Sequence, residues 1–306
     1  MSGPGDTSRI AVVTGGNKGI GLEVCRQLAS AGVTVVLTAR DEKRGAEAVE
    51  KLTGLGLSDV IFHQLDITDT SSIERLAELL KSRFGRLNIL VNNAAFNGHE
   101  PVGNPSFSPE MCIAQLSGMD AAQRVEWMRQ NSRETYDTAV KCLQTNYYGA
   151  KHVTEALLPL LQSSSDGRVV NVSSGFGLLR YIGSEELKQE LNDPENLTEE
   201  RLDELLAAFL KDFKAGAAET RGWPKDFSAY KVAKASLSAY TRVFARRHPE
   251  LRVNCVDPGY VKTEINWNSG YLTPEEGGSR VAAVALLPAR GPTGALFANG
   301  KEASFV

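Results

Sequence analysis

Short apolar runs alternate with amphipathic stretches from Arg9 onward. Ile10-Ala-Val-Val-Thr is apolar throughout and ends in glycines, the pattern of a buried strand. Ile20, Val24, Leu28 and Ala31 then recur at helical spacing, and Gly32 stops that helix. The β-branched run Val33–Thr38 predicts a second strand, Asp41–Leu52 a helix, and Val60–Leu65 a third strand closed by Asp66. Ser71-Ser-Ile-Glu74 fits a capping box ahead of the stripe Ile73, Leu76, Ala77 and Leu80. Leu87–Val91 is the fourth strand. Leu143, Asn146, Ala150, Val153 and Leu157 share one helix face, and Arg168–Ser173 is the fifth strand. A helix from about Ser228 to Arg247, a strand over Leu251–Val256 and a last strand at Ala295–Ala298 complete the pattern.

Strands that alternate with helices pair in parallel through right-handed crossovers, with helices covering both sheet faces; that is why the strands are apolar throughout. The prediction is one α/β domain over 9–306 with a doubly wound parallel sheet, preceded by a disordered Gly/Ser/Pro-rich segment at 1–8. Two segments interrupt the alternation, at about 96–132 and 175–226. The second contains an amphipathic helix that starts near Thr198 and carries Leu202, Leu205, Leu206, Phe209 and Phe213. Insertions of this length in a compact domain often form lids or binding loops.

Composition narrows the class without naming the chemistry. The 42% hydrophobic and 23% charged residues are ordinary globular usage, which excludes bulk disorder. With 34 basic against 37 acidic side chains, the net charge of −3 gives no reason to expect a nucleic-acid or membrane-surface partner. No apolar run is long enough for a membrane span, and the first residues lack an apolar signal core; a cytoplasmic protein is expected. The four cysteines, Cys25, Cys112, Cys142 and Cys255, form no C-x-x-C pair and read as reduced, buried residues with no metal site.

The candidate chemistry lies where strands end. Thr14-Gly-Gly-Asn-Lys-Gly-Ile-Gly21 joins the first strand to the first helix. Gly15 permits a tight turn, and Gly19 and Gly21 let backbone approach a pyrophosphate at the helix N-terminus. Asn17, Lys18 and Ile20 belong to the same loop. The second strand ends in Arg40, where NAD sites usually carry an acid. Arg40, with Lys18, suits a 2′-phosphate and so NADP(H); the alternative is two solvated surface charges. Asp66, followed by Ile67, suits either an adenine amino group or a turn cap. Asn92 and Asn93, ahead of Ala94, suit either a cofactor loop or a turn.

Tyr230 and Lys234 stand at i and i+4 of one helix, where an ammonium favours the phenolate and lowers a pKa that is ordinarily about 10. Ser173 and Ser174 end the fifth strand at the sheet's carboxyl edge, where a hydroxyl can meet a substrate oxygen. Asn146, on an apolar helix face, needs partners: a backbone carbonyl, or a water linked to Lys234.

In this order, Thr14-Gly15-x-x-x-Gly19-x-Gly21, Asn92-Asn93-Ala94-Ala95, Asn146, Ser174, Tyr230-x-x-x-Lys234 and Pro258-Gly259 resemble the short-chain dehydrogenase/reductase family over about Arg9 to Phe297. Ala95 departs from the family's usual glycine, and Asp257 precedes Pro258. The long stretch before Tyr230, with Gly222-Trp223-Pro224, resembles the carbonyl-reductase subgroup. Gln144-Thr-Asn-Tyr-Tyr-Gly149 looks closer still to plant monoterpenoid and alkaloid ketone reductases, the group of the menthone and salutaridine reductases.

The resemblance implies a Rossmann-type fold and NADPH-dependent reduction of a small carbonyl substrate. Tyr230 would be the general acid, and Lys234 would lower its pKa and hold the nicotinamide ribose. Ser174 would bind the carbonyl oxygen, and Asn146 would position a water that relays protons to Lys234. Pro258, Gly259, Val261 and Thr263 would border the nicotinamide. It also implies a monomer, because the second insertion covers a face that relatives use to associate. Phe176, Tyr181 and Trp267 are the expected apolar substrate contacts. Two rival readings are an enone C=C reductase on the same scaffold and a dinucleotide-binding regulator without catalysis.

Overall fold

The computed structural model describes residues 9–102 and 115–306. Residues 1–8, expected to be disordered, and 103–114 within the first insertion, Cys112 among them, lie outside these. Strand β1 (Ile10–Val13) is followed by α1 (Gly19–Ser30), β2 (Thr34–Ala39), α2 (Glu42–Gly54), β3 (Val60–Gln64), α3 (Thr70–Arg83) and β4 (Ile89–Asn92). The first insertion contributes β5 (Glu100–Pro101), α4 (Ala121–Asn131) and β6 (Ser132–Arg133). Then come α5 (Tyr136–Leu143), a π-helical turn (Gln144–Gly149), α6 (Ala150–Gln162) and β7 (Arg168–Val172). The second insertion holds α7 (Glu185–Leu191) and α8 (Glu199–Lys214). The chain ends with α9 (Ser228–Arg247), β8 (Arg252–Asp257), α10 (Pro274–Ala285), β9 (Leu296–Ala298) and β10 (Lys301–Ala303).

Eight strands form one sheet in the order β10-β9-β8-β7-β4-β1-β2-β3, parallel except for the β9–β10 hairpin. The predicted Rossmann-type α/β architecture is the one observed. Side chains alternate across each strand, so each face gathers its own core. Val12, Val36, Leu90 and Val169 pack under α3, α5, α6 and α9. Val13, Val35, Leu37 and Val91 pack under α1, α2 and α10. The chain reverses direction between β1 and β4, which opens a crevice at their carboxyl ends.

Three local expectations are corrected. Asp69, not Ser71, caps α3: its carboxylate accepts from the Ser71 N–H, and the helix begins at Thr70. The straight helix expected through Asn146 is broken by the π turn. The last strand pairs with β10, which the apolar pattern missed because all three β10 residues are exposed. Asn299-Gly300, both at positive φ, was the available hairpin signal. Other boundaries follow the sequence closely. Asp41 caps α2 by accepting from Arg44, and Thr198 caps α8 by accepting from Arg201.

In α8, Leu202, Leu205, Leu206 and Phe209 are buried against the α6/α9 side of the molecule. Lys151 of α6 reaches Asp203 at 2.8 Å, and Arg247 of α9 reaches Glu199 at 2.7 Å. No helix among the described residues is long and apolar enough to cross a membrane.

Candidate active site

A cavity of about 500 Å³ runs along the carboxyl ends of the central strands, from Arg40 and Asp66 past the glycine turn to Ser174, Tyr230 and Trp267. The turn is built for close approach. A Cβ on Gly21 would stand 2.3 Å from the Gly15 carbonyl oxygen, and Gly15 has φ +64°. No side chain caps α1, and its first turn holds no acid, so its N–H groups face the cavity end unneutralised. A dinucleotide's pyrophosphate fits this cradle. Thr263 closes the other side: its Cγ2 lies 3.2 Å from where a Gly19 Cβ would be.

The neighbouring positions resolve several open readings. Arg40 is exposed beside the cavity and forms no ion pair among the described residues. Lys18 is paired with Glu264 across the cleft, which ties the glycine turn to the loop after β8. Asp66 closes a turn by accepting from the Thr68 amide and hydroxyl at 2.9 and 2.7 Å, while still lining the cavity with Ile67. Asn92 does not reach the cavity. It is buried and donates to Thr154 and to Asn171, at 2.9 and 2.8 Å. Asn93 holds the glycine turn instead, donating to the Thr14 and Gly15 carbonyls. Ala94 packs against Gly15.

The reacting end is carried by α9. Its first residue follows Phe227, which stands at φ +51°, a costly conformation for a bulky side chain. Phe227 offers no side-chain cap. Glu134, just after β6, supplies one: its carboxylate accepts from the Ser228 and Ala229 N–H groups, both at 2.9 Å. Burial pushes the Glu134 carboxyl up, and these two bonds pull it back. The cap comes from 94 residues away, so no local sequence signal could have found it. Glu134→Ala should lower stability by about 1–2 kcal/mol, in the range of a lost helix cap; urea unfolding at neutral pH measures it, and an unchanged midpoint would deny Glu134 this role.

Tyr230 lies on the first turn of α9 and Lys234 on the next, with the Lys234 Nζ 5.7 Å from the phenol ring centroid. Lys234 is 3% exposed and donates to the Val172 carbonyl at 2.6 Å. Burial pulls its pKa down to about 8. The expected lowering of the phenol does not appear: burial holds Tyr230 well above its ordinary value and outweighs the nearby Ser174 hydroxyl, which acts the other way. The two serines separate. Both line the cavity, but the Ser173 hydroxyl is engaged with Ser238 at 2.8 Å, whereas Ser174 turns its oxygen to the Phe176 N–H.

Asn146 is committed elsewhere than to the cavity wall. From the π turn its amide grips the Phe96 backbone, accepting from N–H at 2.7 Å and donating to the carbonyl at 2.8 Å. The expected backbone carbonyl is that of Phe96. Asp257 closes the turn before the cofactor loop by accepting from the Gly259 N–H at 2.9 Å. Pro258, Gly259 and Val261 follow along the cavity.

Of the expected substrate contacts, Phe176 and Trp267 line the cavity and Tyr181 does not; Tyr181 packs edge-on behind Phe176 at 5.7 Å. Trp267 meets Trp127 of the first insertion edge-on. His99, inside the first insertion expected to contribute to the pocket, also forms the wall, as does Phe227, which sequence reasoning missed.

A doubly wound sheet, a phosphate-sized glycine turn at its switch point, and a half-buried tyrosine above a buried lysine and beside a serine define a dinucleotide-dependent oxidoreductase. The short chain dehydrogenase family model matches residues 9–185. The chain is 47% identical to a (+)-neomenthol dehydrogenase of Capsicum annuum, over 98% of both chains. It is 45% identical to a (−)-isopiperitenone reductase of Mentha piperita, over 97% of this chain and 98% of that one. The solved structure of salutaridine reductase from Papaver somniferum superimposes with a TM-score of 0.88 at 47% identity, covering 95% of this chain and 99% of that one. The chain therefore belongs to the short-chain dehydrogenase family.

Proposed function

We propose that the protein is an NADPH-dependent reductase of a ketone or aldehyde on a small apolar molecule, of the terpenoid or alkaloid kind named in its relatives, reversible as alcohol dehydrogenation. The observation that carries this reading is the placing of Tyr230 and Ser174 on one cavity wall, with Lys234 one helical turn below. The bound dinucleotide supplies the hydride. Ser174 donates a hydrogen bond to the carbonyl oxygen, and Tyr230 delivers a proton to it as negative charge builds there. Lys234 then returns a proton toward the phenol and offers donors to the nicotinamide ribose. Asn146 acts at a distance: by gripping Phe96 it holds the β4 loop against the cavity. Asp66 and Asn93 support the adenine and pyrophosphate ends.

The test is reduction of a panel of terpenoid, alkaloid and quinone carbonyls, followed by loss of reduced-cofactor absorbance and product analysis. An alcohol product supports the reading. Exclusive reduction of an enone C=C bond, or cofactor binding without turnover on the whole panel, refutes it.

The exposed Arg40 at the end of β2, with no acid in its place, supports NADP(H) over NAD(H). Arg40→Ala should weaken NADPH binding by about 10–100-fold, the value of a charge-assisted hydrogen bond, and leave NADH nearly unchanged. Titration with both nucleotides checks this, and equal losses would remove Arg40 from 2′-phosphate recognition.

A monomer is proposed because α8 covers the α6/α9 face with buried apolar residues and ion pairs. A cytoplasmic setting is consistent with Cys25, Cys142 and Cys255 being buried free thiols. We read residues 9–306 as one domain.

A further inference from the structure

We propose that His99 is a hydrogen-bond acceptor for a hydroxyl group on the substrate, carried at the opposite end of an apolar skeleton from the reacting carbonyl. This rests on the carbonyl-reduction reading of the cavity and adds to it the class of substrate: a hydroxylated ketone or aldehyde.

His99 is fixed from both sides. Its backbone N–H donates to Asn97 Oδ1 at 3.1 Å, and Asn97 Nδ2 donates to the Ile265 carbonyl at 3.0 Å. The next residues form β5, which pairs with β6 and is braced by Arg133 on Glu100 at 2.7 Å. This small ribbon of the first insertion brings Ser132 to the imidazole, with Oγ 3.2 Å from Nδ1.

The hydrogen-bond network assigns the tautomer. The Ser132 hydroxyl also lies 2.7 Å from the Met128 carbonyl, which can only accept. The single hydroxyl hydrogen therefore goes to Met128, and Ser132 accepts from His99 Nδ1–H. A neutral imidazole has only that one N–H, so Nε2 presents a bare lone pair. Burial pulls the His99 pKa down to about 4, so the ring stays neutral at ordinary pH. Nε2 is shielded from solvent and has no hydrogen-bond partner among the described residues. Buried acceptors without partners are rare in native proteins and mark a group waiting for one.

The position of the ring says what that partner is. His99 lines the same cavity as Tyr230. Its ring lies 4.6 Å from Phe227, Phe227 stacks on Phe176 at 5.6 Å, and Phe176 meets Tyr230 edge-on at 6.5 Å. These rings form a continuous aromatic wall from the proton donor to the imidazole. A ligand with its carbonyl at Tyr230 and its apolar body on this wall brings its far end to His99. A hydroxyl there pairs with Nε2 once the entering ligand displaces the side chains that cover this nitrogen in the unliganded cavity. An ether or second carbonyl would set lone pair against lone pair. His99 is thus a specificity residue and takes no part in the chemical step.

The probes are three ketones of one apolar skeleton: one with a distal hydroxyl, one with that hydroxyl methylated, and one lacking the oxygen. Each is assayed with wild type, His99→Phe and His99→Gln. Wild type should prefer the hydroxy ketone, and His99→Phe should lower kcat/KM for it by about 10-fold, mainly through KM. The other two ketones should change little. His99→Gln, which keeps an acceptor, should recover part of the loss. Equal losses on all three ketones would make His99 structural only and overturn the proposal. So would a wild type indifferent to the hydroxyl. A wild type that reduces none of the three while binding the dinucleotide would overturn the carbonyl reading itself, and the proposal with it.

Discussion

Tyr230→Phe is expected to bind the reduced dinucleotide as wild type does and to lose on the order of 10²–10⁴ in turnover, the usual worth of a positioned general acid. The substitution removes one oxygen. The ring keeps its edge contact with Phe176, and α9 keeps its cap from Glu134. Because burial holds the phenol above its ordinary value, Tyr230 is protonated throughout the neutral range, the state a proton donor needs. The same shift works against alcohol oxidation, which requires the deprotonated group. Reductive turnover should therefore stay level from about pH 6 to 7 and fall as Lys234 gives up its proton near 8, while oxidative turnover climbs with pH. Steady-state rates in both directions, with calorimetric dinucleotide binding, decide the matter. Near-wild-type reduction by the Phe variant would move the acid to another group.

What could be read from the chain beforehand follows the range of the forces involved. β1, β2 and β4 announce themselves because burial on both faces demands largely apolar runs, and Asp41 and Thr198 cap their helices through bonds three residues long. The Tyr230/Lys234 pair is equally local. The pairings that shape the site are not. Glu134 reaches Ser228 and Asn146 reaches Phe96 across spans that leave no periodic trace. The π turn at Gln144–Gly149 has no compositional mark, since its residues suit an α-helix equally well. Asn92 and Asn93 show the limit most sharply. Adjacent residues of one type at a strand end point to opposite sides, one into the core and one onto the glycine turn. The phenol's shift escaped for another reason: a neighbouring lysine was visible in the sequence, but the burial that outweighs it belongs to the folded state.

Lys234→Met should remove most turnover and, at the same time, change how stability depends on pH. The two effects have one origin, an amine buried to 3% exposure with its pKa brought down to about 8 from an unfolded value near 10.5. Between those values the unfolded chain holds a proton that the folded protein has released, so wild-type stability gains with rising pH; below about 8 both states are charged and the folded protein bears the full cost of a buried ammonium. The gain over that window is on the order of 3 kcal/mol at most. Methionine fills a similar volume without titrating. The variant should therefore hold its own in unfolding free energy near pH 7, where it loses the bond to the Val172 carbonyl but sheds the buried charge, and fall behind wild type progressively up to pH 10. Taking the difference between the two proteins cancels every other titrating group. Urea unfolding at intervals from pH 7 to 10 gives the curves. Parallel curves would mean that Lys234 keeps an ordinary pKa and cannot pass a proton to the phenol near neutrality, and retained turnover in the variant would exclude it from the reaction altogether.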